Sequence, residues 1–343
     1  MPTAPRLILR ADAGHRLGSG HVMRLSALAE AALDAGGAAR ILIGGEPAAS
    51  VAALTARGLD AVASASEPSA AAISRHADEL GAQAIVLDGP HFDPAWVAAL
   101  AAGGRLVASL DDRGLSPLPT SVVINPGYGA ESLADRYPAA ATRLLGRRYH
   151  LLRRELRDLP HAGAPLADRV HRVLVTMGGS DPVGATARVV GAMPGERLDV
   201  IVVLGPGFRD HAALAMSRAR ARARGHRVEL VANPPSLGPV LASCDLAISA
   251  AGGTLAELAY LGRPTYAVAI VDDQVDLAAR QRAAGLVAGG LPLASLTDDE
   301  LTGDLAALLA DPARLRTLRA ASAATIDALG PTRILAALVP PDR

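Results

Sequence analysis

An α/β protein built from two doubly wound, Rossmann-like halves is what the sequence predicts, on three observations. Short β-rich apolar runs alternate with Ala/Leu-rich stretches of helical length. The alternation occurs twice, on either side of a charged stretch carrying two prolines. Most glycine-rich polar turns come after the apolar runs, where chance would scatter them over both ends. Such alternation builds a parallel sheet covered on both faces. Intervals this short leave room only for right-handed crossovers. A chain of 343 residues has the length for two such domains.

In order, the first half offers strands at Leu7–Leu9, Arg40–Ile43, Ala61–Ala63, Ala84–Leu87, Leu106–Leu110 and Ser121–Ile124. Helices are expected between them at Ser26–Ala35, Ala48–Ala56, Ser69–Leu80 and Pro94–Ala101. Arg153–Arg172 reads as the interdomain linker. The second series has strands at Val173–Thr176, Leu198–Leu204, Val228–Val231, Leu246–Ser249 and Thr265–Ala269. Its helices are Ala185–Gly191, Arg209–Arg224, Leu237–Ser243, Thr254–Leu261, Gln274–Ala284, Asp298–Leu309 and Pro312–Leu329. The domains are therefore expected at residues 1–155 and 170–330. Ligands of such sheets bind beyond the carboxyl ends of the strands, and two facing domains can share a central cleft.

Composition narrows the classes. Half the residues are apolar but only 2% are aromatic, so the cores must be Ala, Leu and Val. The 34 Lys and Arg balance the 34 Asp and Glu. That argues against general nucleic-acid binding, which needs a basic surface. The single Cys244 excludes an intramolecular disulfide framework and a multi-cysteine zinc site, and is expected as a small buried residue. The start of the chain lacks the pattern of a signal peptide, and no apolar run is long enough to span a bilayer. The expectation is a cytoplasmic protein without stable membrane insertion.

The stretch Arg10–Arg24, RADAGHRLGSGHVMR, carries the first chemistry. A glycine turn from strand to helix makes backbone N–H groups converge on one point that favours an anion. His21 sits on its lip. The positive helix end disfavours imidazolium there and keeps a neutral base available, and Asp12 on the same loop could orient the ring. The plainer reading is a capping turn with an incidental His.

Gly178-Gly179-Ser180-Asp181 follows the Val173–Thr176 strand. Its glycines let a ligand approach the backbone, and Ser180 can cap the next helix; alone, an ordinary turn is the commoner meaning. Ser249–Glu257, SAAGGTLAE, is a stronger signal. Strand, glycine pair, Thr254 and helix start make a second anion site. Glu257 either closes a capping box with Thr254 or faces a ribose diol, and the spacing allows both. Asp111-Asp112 is a carboxylate pair; adjacent residues on an extended chain point opposite ways, so one is structural and a metal is the minority reading. The nine His residues show no metal-ligand spacing. His76, His161, His171, His211 and His226 lie on expected surface stretches. Arg218, Arg220, Arg222 and Arg224 form a basic helix face, commonly a solvated one, with an acidic membrane or partner as the minority reading.

Taken together, Arg10-Ala11-Asp12 with GSGHVMR (Gly18–Arg24), LDDRG (Leu110–Gly114), Ile124–Gly127, LLGRRYHLLRREL (Leu144–Leu156), VTMGGSDP (Val175–Pro182) and ISAAGGTLAELAYLGRP (Ile248–Pro264) with Asp273-Gln274 resemble a known family. It is the UDP-2,4-diacetamido-2,4,6-trideoxy-β-L-altropyranose hydrolase family of pseudaminic acid biosynthesis, with its spore-coat polysaccharide relatives. These have the GT-B fold and are similar to the glycosyltransferase that adds N-acetylglucosamine to lipid I. The resemblance implies hydrolysis of a UDP-sugar at the anomeric carbon with release of UDP, with no cofactor and no metal. His21 would be the base that activates water, with Asp12 beside it. The diphosphate would lie on Gly252, Gly253 and Thr254, and Glu257 would hold the ribose. Gly178, Gly179, Ser180, Asp181 and Gln274 would line the sugar-nucleotide cleft, with Gly18, Gly20, Arg24, Asp88, His91 and Asn125 as further binding candidates. Where the family often carries a Tyr, this chain has Pro90, a difference that bears on the sugar more than on the reaction class. A GT-B glycosyltransferase using a UDP-sugar donor and a nucleotide-sugar-binding protein without turnover are the alternatives.

Overall fold

The computed structural model describes residues 4–339 apart from 15–19, 90–91, 115–117, 164, 196 and 235. The chain divides into two compact units. One comprises the residues up to Arg154 together with those from Ala328 onward, and the other runs from Glu155 to Asp327.

The first unit contains strands β1 (Arg6–Ala13), β2 (Ala38–Gly45), β3 (Asp60–Ala63), β4 (Ala84–Asp88), β5 (Leu106–Leu110), β6 (Val122–Asn125) and β7 (Thr142–Leu145). They form one sheet in the order β3-β2-β1-β4-β5-β6-β7, with every pairing parallel. Its helices are α1 (Gly20–Asp34), α2 (Ala48–Ala56), α3 (Ala70–Leu80) and α4 (Pro94–Ala101). A strand's side chains alternate between faces, and here both faces are buried. Leu7, Leu9 and Ala11 of β1 join the core beneath α1, whereas Ile8 joins the core beneath α3 and α4. Ile41 and Ile43 divide from Leu42, and Val86 from Ile85 and Leu87, in the same way. This two-sided burial is why the strands read as continuous apolar runs.

The second unit begins with α5 (Arg154–Arg157), which straddles the boundary, and contains β8 (Arg172–Thr176), β9 (Asp199–Leu204), β10 (Arg227–Ala232), β11 (Leu246–Ala250), β12 (Thr265–Ala269) and β13 (Ala288–Pro292). The sheet order is β10-β9-β8-β11-β12-β13, again parallel throughout. Its further helices are α6 (Ala185–Gly191), α7 (His211–Ala223), α8 (Gly238–Ala242), α9 (Thr254–Tyr260), α10 (Val275–Ala283), α11 (Asp298–Leu309) and α12 (Pro312–Ala323). A last helix, α13 (Gly330–Leu338), returns to the first unit, where Ile334, Leu335 and Leu338 enter the core with α1. Its start is seated tightly: a Cβ on Gly330 would lie 2.1 Å from the His150 carbonyl oxygen.

Several expectations are corrected. Helix α1 starts at Gly20, six residues before Ser26, so His21 and Arg24 lie in its first turns. The final helical stretch is not continuous: α12 stops at Ala323, and α13 follows beyond Leu329. Strands β7 and β13 escape the pattern because β7 has only two apolar residues and β13 is Ala-Gly-Gly-Leu-Pro, with Gly289 and Gly290 at positive φ. His226 is buried, its Nδ1 accepting from the Leu198 amide at 3.3 Å. The arginine face of α7 is partly spent on backbone. Arg218 and Arg222 donate to the Val228 carbonyl, and Arg224 donates to that of Gly191. Cys244 is fully buried, and burial pushes its thiol up to about 12, which leaves it inert as a nucleophile. No helix among the described residues is long and apolar enough to cross a membrane.

Candidate active site

In each sheet the strand order reverses at one place, and that switch point is where loops diverge and a ligand can enter. In the first unit it lies between β1 and β4. The register sets Ala11 of β1 level with Asp88, and Asp88 level with Leu110 of β5. The three connections that leave these strand ends therefore start side by side. They supply His21 and Arg24 from α1, Asp88 from the end of β4, and Asp112 from just beyond β5.

These four side chains form one chain of contacts. His21 Nδ1 lies 2.7 Å from Asp88 Oδ1. Arg24 grips the same carboxylate with one edge of its guanidinium, Nε to Oδ2 at 2.5 Å and Nη2 to Oδ1 at 2.6 Å. Its Nη1 donates to both oxygens of Asp112, at 2.7 and 2.8 Å. Positions 21 and 24 share a helix face, which is what the three-residue spacing in GHVMR provides. Asp88 is fully buried; Asp112 is 47% exposed. Because a carboxylate only accepts, neutral His21 carries its proton on Nδ1 and leaves Nε2 as the basic nitrogen. Arg24 Nη2, 3.3 Å from His21 Nδ1, then faces a donor, so that contact is one of charge.

Burial pushes the His21 imidazole down, but the hydrogen bond and charge of Asp88 outweigh burial and the opposing charge of Arg24, and the net shift is upward from 6.5. The helix-end expectation of a disfavoured imidazolium is thereby corrected: a buried carboxylate at contact distance is the stronger influence. For Asp88 itself, burial pulls upward, and Arg24 and His21 together hold it below 3.8.

Asp12 does not orient His21. Its Oδ1 accepts from Arg10 Nη2 at 2.7 Å, and the fully buried Arg10 also donates to the carbonyls of Ala65 and Ser66. The Arg10–Asp12 pair thus ties the exit of β3 to that of β1, and Asp88 is the carboxylate on the imidazole. Asn125 is likewise turned inward. It is fully buried, its amide nitrogen donates to the Tyr137 hydroxyl at 2.9 Å and its oxygen accepts from the Gly127 amide at 3.0 Å, so it shapes a turn and is not presented to a ligand. Asp111 accepts from the amides of Arg113 and Gly114, the structural member of its pair. Gly20 opens α1 with clear space around it. Gly18 and His91 lie outside the described residues.

Sequence reading passed over two groups here. Asp112 was weighed only as half of a metal pair. Half-buried His150 follows β7, the strand that the apolar pattern misses. Burial and the charges of Arg147 and Arg24, offset by Asp112, hold its imidazole down at about 3. It is neutral at any working pH. Among the described residues, no group of three or more His, Cys, Asp or Glu side chains is placed to hold a metal.

In the second unit the switch point lies between β8 and β11, so the turns after these two strands flank it. After β8, Gly178 adopts φ +80° and Gly179 accepts a hydrogen bond from the Gly207 amide at 2.8 Å. A Cβ on Gly205 would lie 2.5 Å from Gly179 Cα. The turns after β8 and β9 thus meet backbone to backbone, a role for Gly205 and Gly207 that the sequence leaves open. Ser180 is not the cap of α6. Asp181 takes that work, its two oxygens accepting from the amides of Ala185 and Thr186, both at 2.8 Å. The carboxylate already occupies the anion position at that helix start, so Asp181 is structural where a substrate contact was expected.

The turn after β11 is built differently. Helix α9 begins at Thr254 behind Gly253, with no side-chain cap at Gly253. Thr254 therefore does not stand at the cap position, and the capping-box reading of Thr254 and Glu257 is not realised. Gly253 has open space around it. Gln274 is brought to this turn: its Oε1 accepts from the Ile270 amide at 3.0 Å, and its Nε2 would lie 3.8 Å from a Cβ on Gly252.

Both sheets thus present their chemistry at the carboxyl edge beside a switch point. This is the GT-B fold, two Rossmann-like domains in one chain, and solved structures share it along nearly their whole length. MurG of Acinetobacter baumannii is 13% identical with a TM-score of 0.68, covering 97% of this chain and 99% of that one. The spinosyn rhamnosyltransferase SpnG, complexed with spinosyn aglycone, is 18% identical with a TM-score of 0.66, over 96% and 99%. The UDP-GlcNAc 2-epimerase of Neisseria meningitidis, bound to UDP-GlcNAc, is 11% identical with a TM-score of 0.60, over 97% and 99%. No family model matches the sequence, and no curated protein does.

Proposed function

We propose that this protein is a glycosyltransferase of the GT-B fold that passes a sugar from a UDP-linked donor to an acceptor hydroxyl. The observation that carries the reading is the His21–Asp88 contact of 2.7 Å at the switch point of the first sheet. A buried carboxylate fixes one ring nitrogen, and the other is left as a general base. In the reaction, His21 Nε2 takes the proton of the acceptor hydroxyl. The oxygen attacks the anomeric carbon, the bond from that carbon to the diphosphate oxygen breaks, and UDP leaves with the electron pair. The nucleotide part belongs to the second unit, with the diphosphate on Gly252, Gly253 and Thr254, the ribose on Glu257, and Gly178, Gly179, Ser180 and Gln274 nearby. Backbone amides at a helix start suit the charge that develops on the leaving group. Support also comes from structural similarity to a rhamnosyltransferase holding its aglycone and to an epimerase holding UDP-GlcNAc.

A second reading has water as the acceptor, and therefore hydrolysis of an amino- or deoxy-sugar nucleotide. It is favoured by the ordered motif set from GSGHVMR to ISAAGGTLAELAYLGRP, which resembles the hydrolase of pseudaminic acid synthesis. The test is a screen of UDP-, GDP- and CMP-sugars for nucleotide release, with and without candidate acceptors. Release that depends on an acceptor supports transfer, and acceptor-free release from a UDP-sugar supports hydrolysis. Tight UDP binding with no release from any sugar would sink both readings in favour of a binding protein.

A further inference from the structure

The chain of contacts at the first switch point does not end at the base. Arg24 touches both His21's carboxylate and a second one. Its guanidinium divides its donors between the buried Asp88 and the half-exposed Asp112. We propose that Asp112 is a positioning residue for the His21–Asp88 pair: it holds the outer edge of the Arg24 fork, so that the inner edge locks the Asp88 carboxylate against the imidazole. The proposal rests on the reading above only for what the base is used for; the geometry is independent of it.

The geometry carries this in two ways. A guanidinium is planar, and Nη1 bound to both oxygens of Asp112 leaves the Nε–Nη2 edge no freedom to turn away from Asp88. Charge points the same way. His21 is faced by Asp88 from β4, by Arg24 from its own helix and by Asp112 from the turn after β5, and Arg24 is faced in addition by His150. His150 stays neutral, and Arg147 stands beside it. Arg24 draws the imidazole's midpoint down, whereas Asp112 draws it up. Without Asp112, the whole charge of Arg24 bears on Asp88 and His21. Asp112 is also the member of the chain most open to solvent, so its replacement leaves no cavity in the core.

The measurement is an NMR titration of the His21 ring in Asp112→Asn, beside the pH profile of nucleotide release. We expect the His21 midpoint to fall by about half a pH unit, with the acid limb of the profile moving down alongside it. Arg24→Gln should move the midpoint upward, and Asp112→Glu should restore it. Because the two neutralising variants shift in opposite directions, a general loosening of the fold cannot imitate the result. A midpoint in Asp112→Asn that stays put or rises overturns the proposal. If no sugar nucleotide is turned over and the midpoint still shifts as expected, the proposal stands and the functional reading falls.

Discussion

Replacing Asp88 by Asn removes one charge from a fully buried position while keeping the size of the side chain. The carboxylate is the main influence raising the His21 midpoint, with a smaller lift from Asp112; burial and Arg24 work against it. An opposite charge at contact distance is worth about 1–3 pH units, or about 1.4–4 kcal/mol of interaction between imidazolium and carboxylate. The His21 midpoint in Asp88→Asn should therefore fall below 6.5, since burial and Arg24, which lower it, outrank the remaining lift from Asp112. The assay is a ring-proton NMR titration, with circular dichroism to check the fold. Stability should follow by linkage. A raised His21 midpoint contributes stability that is complete below 6.5 and is lost as pH rises through the folded value. A lowered Asp88 midpoint contributes stability that is complete above 3.8 and is lost as pH falls through its folded value. The melting-temperature gap between parent and variant should thus be widest between these two values and narrow on both sides. A His21 midpoint that is unchanged or raised in Asp88→Asn would refute the assignment of Asp88 as its electrostatic partner.

Three further changes test the rest. His21→Ala should lower turnover by about 100–10,000-fold, the worth of a general base, while UDP affinity by calorimetry stays within about twofold; parent-rate turnover would remove His21 from catalysis. Glu257→Ala should weaken UDP binding by about 10–100-fold, as expected for hydrogen bonds from a ribose diol to a charged group, and an unchanged Kd would take Glu257 out of the ribose site. Gly205→Ala places a Cβ 2.5 Å from Gly179 Cα; overpacking of this kind costs about 1–3 kcal/mol and should lower Tm by about 2–10 °C, so an unshifted melting curve would mean that the turns after β8 and β9 can separate freely.

Most strands were legible because burial on both faces turns them into uninterrupted apolar runs, as in Ala84–Leu87. The exceptions have physical reasons. Strand β13 carries two glycines and a proline, which local propensity assigns to turns. The first turns of α1 were hidden because Gly20 is a weak helix former and His21 and Arg24 are polar residues kept for contacts that appear only once β4 and β5 stand alongside. The strand-end rule placed the candidate residues at the carboxyl edge of each sheet, but it could not say which of them face inward. Asn125 and Asp181 look like ligand-binding side chains in a string of letters, yet both satisfy buried or helix-end amides. Asp12 and Asp88 are both carboxylates at neighbouring strand ends. Only the register, Ala11 level with Asp88, decides which meets the imidazole, and a register between strands more than seventy residues apart leaves no local trace.

The return of α13 to the first unit makes that unit discontinuous along the chain, with the second inserted into it. Ile334, Leu335 and Leu338 are at most 7% exposed, and burying three such side chains is worth about 5–9 kcal/mol, as much as the net stability of many whole domains. During synthesis the second unit has all its residues first. The N-terminal unit, although made earlier, waits for residues 330–338 to leave the ribosome before the apolar flank of α1 is covered. The unit that carries His21 is therefore the last to become complete, and it depends on residues 330–338 for the packing that holds α1, and with it His21 and Arg24, in place.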